Sequence, residues 1–140
     1  MTIAEVANRM LESYPRDFNV DREVLVRCID ACFDCGEACT QCADDCLSEQ
    51  GHVEELVKCI SLCTNCADIC LTTGRVLSRQ TEYDANVSRA LLEACVVACS
   101  SCGDECEQHG EHGMEHCRVC AEQCRRCEQA CRELLAAIAV

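Results

Sequence analysis

A chain of 140 residues suits one domain with a single core. Its formal net charge of −13 argues against a nucleic-acid partner, which would need Lys/Arg to neutralise phosphate, and against an anionic membrane surface. The acid instead suits a soluble protein that attracts cations, although a well-solvated helical surface accounts for much of it. Nineteen residues are Cys and only 3% are aromatic, with no Trp, so something other than large rings must fill the interior.

The first predicted element is a short amphipathic helix within residues 1–15. Thr2-Ile-Ala-Glu5 has capping-box form. Ile3, Val6, Ala7, Met10, Leu11 and Tyr14 make one apolar stripe, and Pro15 stops the helix. The stripe suits packing on its own bundle or on a second subunit equally well.

Four longer helices are expected in a second unit, residues 19–140. The first spans about 20–48, with Asn19 or Asp21 as its cap and Gly51 at its end. The second spans about 52–78, with Glu54 and Glu55 favourable at its start and Gly74 a weak point near its end. The third spans about 82–108 behind Thr81-Glu-Tyr-Asp84, a capping box with Asp in the usual Glu position. Gly110 and Gly113 break the chain before a fourth helix over about 114–138.

All nineteen cysteines fall on these four segments at regular intervals. Cys28, Cys32, Cys35, Cys39, Cys42 and Cys46 are spaced 4-3-4-3-4. Cys59, Cys63, Cys66 and Cys70 are spaced 4-3-4, as are Cys95, Cys99, Cys102 and Cys106. Cys117, Cys120, Cys124, Cys127 and Cys131 are spaced 3-4-3-4. Alternating steps of three and four average about 3.5, the period of a seam that faces other helices in a left-handed bundle. The short connections make the neighbours antiparallel, so the fold is all-α, an up-down-up-down four-helix bundle with an extra N-terminal helix.

Extending the seam makes the two ends of the bundle differ. One end reaches Leu25, Leu77, Leu91, Leu134 and Ile138, an aliphatic plug. The other reaches His52 and His109, with His112 and His116 one turn apart at the start of the fourth helix and Met114 between them. All four histidines therefore collect at one mouth. A His near a helix end is often only a polar surface residue answering the dipole, but four together, two of them in seam register, point to metal ligation.

Residues three or four apart on a helix have Cβ atoms about 5–6 Å apart. Two metal–sulfur bonds of about 2.3 Å end to end span roughly 4.5 Å, so one ion can bridge two thiols of the same helix. Near-linear coordination by two soft thiolates selects Cu(I). Each Cu(I) that replaces a thiol proton leaves the net charge unchanged, so many ions can enter a dry core without building up charge. A role as plain apolar filler suits one or two seam cysteines, but nineteen would fill a core worse than Leu or Ile.

Other readings stay open. A zinc protein would normally pair its cysteines at loops, and an iron–sulfur protein would use tight Pro- or Gly-containing runs. A thiol-redox protein built on Cys-x2-Cys would need a βαβ context. No hydrolytic or transfer constellation is visible, so an enzyme is not expected. With no apolar leader in Met-Thr-Ile-Ala-Glu and no run approaching the roughly 20 apolar residues of a membrane span, a cytoplasmic location is expected, where thiols stay reduced.

The ladder over Cys28–Cys46, the two 4-3-4 ladders and the ladder over Cys117–Cys131 together resemble those of the cytosolic four-helix-bundle copper storage proteins of bacteria. The resemblance covers essentially residues 20–138. It implies a thiol-lined tube that fills with multiple Cu(I) ions, histidines at the open end, and assembly into a homotetramer.

Overall fold

The computed structural model describes residues 1–138; residues 139–140 of the expected second unit lie outside them. Among the described residues five α-helices form: α1 (Ile3–Glu12), α2 (Arg22–Leu47), α3 (Val57–Leu77), α4 (Ala85–Glu111) and α5 (Glu115–Ala137). A 3₁₀ turn, Val53–Leu56, precedes α3. The helices α2 to α5 close a four-membered ring in which α2 packs on α3, α3 on α4, α4 on α5, and α5 back on α2. Short turns make successive members antiparallel. The helix α1 packs on α2 alone.

The helix starts are fixed by side-chain oxygens. Thr2 accepts from the Glu5 amide for α1, Asp21 from the Val24 amide for α2, and Asp84 from the Asn86 and Val87 amides for α4. The capping box expected at Thr81 therefore sits one turn too early. Residues Thr81–Asp84 form a turn instead, with Glu82 at a φ of 53°. The turn between α2 and α3 is longer than expected, because the tighter 3₁₀ geometry occupies Val53–Leu56 and delays the α-helix to Val57.

The expected break at Gly110 and the expected weak point at Gly74 both lie in continuous helix. Gly110 lies inside α4, where a Cβ would stand 3.2 Å from the Arg118 backbone of α5. Gly74 lies inside α3, where a Cβ would stand 3.0 Å from the Phe33 ring of α2. Each is small because a neighbour approaches. Gly51 and Gly113 are the glycines that turn the chain, with φ of +81° and +93°.

Every cysteine is buried, and none is more than 1% exposed. The seam period has placed all four ladders on the bundle axis. At one end the tube is closed by Leu25, Leu77, Leu92, Leu134 and Ile138. Leu92 takes the place expected for Leu91, which is half-buried: the step before Cys95 is three residues, continuing the 4-3-4 alternation, not four.

The apolar stripe of α1 divides. Leu11 is buried, while Ile3, Val6 and Met10 stand out at 43%, 41% and 67% exposure. Tyr14 reaches Thr81 through a 3.0 Å hydroxyl–hydroxyl hydrogen bond, tying the end of α1 to the α3–α4 turn at the plug end. Among the described residues one segment, Val53–Leu77, is long and apolar enough to cross a membrane, contrary to expectation, with a mean hydropathy of 1.3. Its apolarity comes partly from Cys59, Cys63, Cys66 and Cys70, all facing the bundle axis.

Candidate metal centre

The thiols form one continuous set. Within a helix, Cys35 and Cys39 stand 3.9 Å apart, Cys66 and Cys70 3.7 Å, and Cys102 and Cys106 3.8 Å. Between helices, Cys39 and Cys120 approach to 3.5 Å, Cys70 and Cys95 to 3.6 Å, and Cys28 and Cys131 to 3.8 Å. A metal bound to two thiolates at about 2.3 Å each needs its sulfurs roughly 3.8–4.6 Å apart, depending on the bond angle. These pairs, at 3.5–3.9 Å, lie at or just below the bent limit, so a near-linear two-thiolate ion fits along and across the helices once the side chains spread by about 1 Å.

The sulfurs also gather in fours. Cys32, Cys95, Cys127 and Cys131 form one quartet at the plug end. Cys35, Cys66, Cys70 and Cys99 come next, then Cys39, Cys102, Cys120 and Cys124. Cys42, Cys46, Cys59 and Cys117 form the quartet nearest the mouth. In each, all four sulfurs lie within 4.8 Å of one another. Cys28, Cys63 and Cys106 bridge between layers through Cys131, Cys120 and Cys59.

Hydrogen bonding among buried thiols separates their acidities. Bonds from Cys131 and Cys32 pull Cys28 down to about 6. Bonds from Cys106 and Cys117 pull Cys42 down strongly, whereas burial pushes Cys46 up. A thiolate is the form that binds metal, so Cys42 stands ready at the mouth.

The four histidines all lie at the mouth, but they do not hold equivalent positions. His116, expected at the rim, is the one that reaches the thiols. Its Nδ1 lies 3.5 Å from both Cys42 Sγ and Cys117 Sγ, and its Nε2 lies 3.2 Å from Glu49 Oε1. Burial alone would lower its pKa, but the bonds to Cys42 and Glu49 outweigh burial and raise it. His52, expected along the axis, is exposed and turns toward Glu55 at 3.7 Å. The residue in seam register three positions before Cys59 is Leu56, fully buried, so the mouth is narrowed by an aliphatic side chain. His109 is half-buried, with Nε2 2.8 Å from Glu105 Oε2. His112 is exposed, and its Nδ1 donates to the Gln108 carbonyl at 2.7 Å.

His52, His109, His112 and half-buried Met114 share an outer cleft of ≈ 560 Å³ with Glu49 and Glu55. The mouth thus has two tiers: a cleft of imidazoles and carboxylates outside, and His116 against the first thiols inside. The inner role of His116 and the closure by Leu56 were missed in the sequence. The continued 4-3-4 alternation pointed to Leu56, because a step of three precedes Cys59.

A profile of the family described as "Copper storage protein" matches residues 21–136, the whole bundle. The chain belongs to the copper storage protein family. Among solved structures, the Streptomyces lividans copper storage protein Ccsp loaded with 10 copper equivalents is 55% identical, with a TM-score of 0.91 over 94% of this chain and 99% of the other. A histidine-to-alanine variant of the same protein is 56% identical, with a TM-score of 0.83 over 87% and 100%. The structure described as copper loading to a cytosolic copper storage protein from Streptomyces lividans, with five coppers, is 56% identical, with a TM-score of 0.80 over 84% and 96%. No curated protein matches the chain. Copper storage therefore accounts for the cysteine-lined core of this chain, whose fold matches that of copper-loaded Ccsp.

Proposed function

We propose that the tube stores copper as Cu(I) in the cytosol, with all nineteen cysteines as ligands and His116 passing ions between the outer cleft and the thiols. The observation that carries this reading is the continuity of sulfur–sulfur neighbours from Cys42 and Cys117 at the mouth to Cys28 and Cys131 at the plug. An ion can move inward by exchanging one thiolate partner at a time, without an uncoordinated step in a dry core. Soft sulfur donors in close pairs favour Cu(I) over harder ions. His109, His112 and His52 line the route as weaker ligands that bind Cu(I) yet compete poorly with thiolate pairs. The chain carries out no catalysis on this reading; it binds and releases a metal.

Assembly into a homotetramer fits the same picture, with the exposed Ile3, Val6 and Met10 of α1 as part of the contact. Removing residues 1–15 should shift sedimentation toward smaller species and leave copper capacity intact, since the segment contains no thiol.

Metal content tests the storage reading directly. Protein purified without oxygen from copper-supplemented cells should be colourless and carry copper far in excess of iron and zinc. Brown protein containing iron and acid-labile sulfide would overturn it.

A further inference from the structure

The innermost part of the mouth differs from the thiol-only quartets in adding an imidazole nitrogen to the sulfur donors. A tetrahedral ion with bonds of about 2.3 Å to sulfur and about 2.05 Å to nitrogen sets S···S at about 3.8 Å and N···S at about 3.5 Å. Cys42 Sγ and Cys117 Sγ stand 3.8 Å apart, and His116 Nδ1 is 3.5 Å from each. Cys46 belongs to the same quartet, within 4.8 Å of both sulfurs. The fourth member, Cys59, is instead engaged at 3.7 Å with Cys106 and 3.9 Å with Cys63.

The imidazole is also oriented as a metal ligand. Nε2 lies 3.2 Å from Glu49 Oε1, so in the neutral ring Nε2–H donates to that carboxylate and the Nδ1 lone pair faces the two sulfurs. A carboxylate holding the far nitrogen of a ligating histidine fixes the tautomer and raises ligand basicity. His116 and Glu49 come from different helical regions, the start of α5 and the turn after α2, so the pairing is made by the tertiary fold.

We propose that Cys42, Cys46, Cys117 and His116 form a discrete tetrahedral site for one divalent ion of the zinc class, with Glu49 as its positioning residue. The binding step is M²⁺ + 3 RSH + His → M(SR)₃(His)⁻ + 3 H⁺, with one proton fewer released where a thiol is already ionised. Charge separates this site from the core quartets. A divalent ion on four thiolates leaves two negative charges in a dry interior, where the helix amides are already used by the helices. Replacing one thiolate with a neutral imidazole removes one of those charges, and the mouth lies closest to water. The core quartets accordingly stay with monovalent ions. A divalent ion at this position would sit in the path of incoming copper, so Zn(II) should slow Cu(I) loading without reducing final capacity.

The inference stands apart from copper storage and is testable without copper. Co(II) serves as the probe, added anaerobically to the reduced full chain and followed by absorption. The expected result is one Co(II) per chain, with intense thiolate-to-cobalt charge transfer and tetrahedral ligand-field bands that one equivalent of Zn(II) removes. Glu49→Gln, which keeps the side chain's shape, should weaken Co(II) about 10–100-fold while keeping the tetrahedral spectrum. His116→Ala should abolish the tight site. A weak octahedral spectrum in the native protein would overturn the proposal. So would saturation at several Co(II) per chain with no response to His116→Ala and Glu49→Gln, because the ions would then occupy the core quartets.

Discussion

The two ends of the tube are made by the same four helices, yet they do opposite things. At the plug end, Leu25, Leu77, Leu92, Leu134 and Ile138 offer no donor atom and are all buried. At the mouth, the layer beyond the last thiols mixes one aliphatic residue, Leu56, with His116, Glu49 and an outer cleft bearing three more histidines. A bare ion meets a high desolvation barrier at the first end and a graded series of ligands at the second. The difference teaches that direction can be built into a repetitive core by changing only the terminal layer. The thiol ladders themselves are nearly symmetric along the axis.

Opening the plug should produce the largest effect. Leu77→Ala and Leu134→Ala each remove a fully enclosed side chain and should each cost about 2–5 kcal/mol of apo-protein stability by chemical denaturation. Copper capacity should not change, because no thiol is lost. A large fall in capacity with stability preserved would mean that the plug holds metal.

Changing the mouth should affect rate more than stability. His116→Ala should slow Cu(I) loading in stopped-flow measurements several-fold and lower capacity by about one ion, because it is the histidine that touches two thiols. His52→Ala should have the least effect, since that ring is exposed and paired with Glu55. If His52→Ala slows loading more than His116→Ala, the outer cleft controls passage and the two tiers have been assigned in the wrong order.

Much of this was legible in the sequence. Unbroken steps of three and four could place nineteen cysteines only on helix faces that meet, so the ladders and the ring of helices followed from spacing alone. The differences arise where the strict alternation was not carried past the first cysteine of a ladder. The step before Cys95 or Cys59 can be three or four residues, and choosing four, or two steps at once, selected Leu91 and His52 where the fold uses Leu92 and Leu56. Gly110 read as a break and Gly74 as a weak point because local propensity does not show that the α5 backbone or Phe33 packs against them. The inward turn of His116 depends on Glu49, 67 residues away, and no local pattern encodes it.

The smallest expected effect is on pH dependence. The pKa of His116 is raised in the folded apo-protein, with bonds to Cys42 and Glu49 outweighing burial. A raised folded pKa stabilises the protein fully below the unfolded value of about 6.5, and that stabilisation is lost as pH rises through the folded value. The gap in melting temperature between native protein and His116→Ala should therefore be wider at acidic than at alkaline pH. A gap that widens with pH would mean that the imidazole is held neutral.

One continuous thiol core should store many ions, and its copper capacity measures this. Reduced, metal-free protein titrated anaerobically with Cu(I) against a competing chelator should saturate at roughly 12 to 20 ions per chain, the range expected for bridging thiolates. Saturation at one to four ions would contradict the account and leave the sulfur quartets as separate sites.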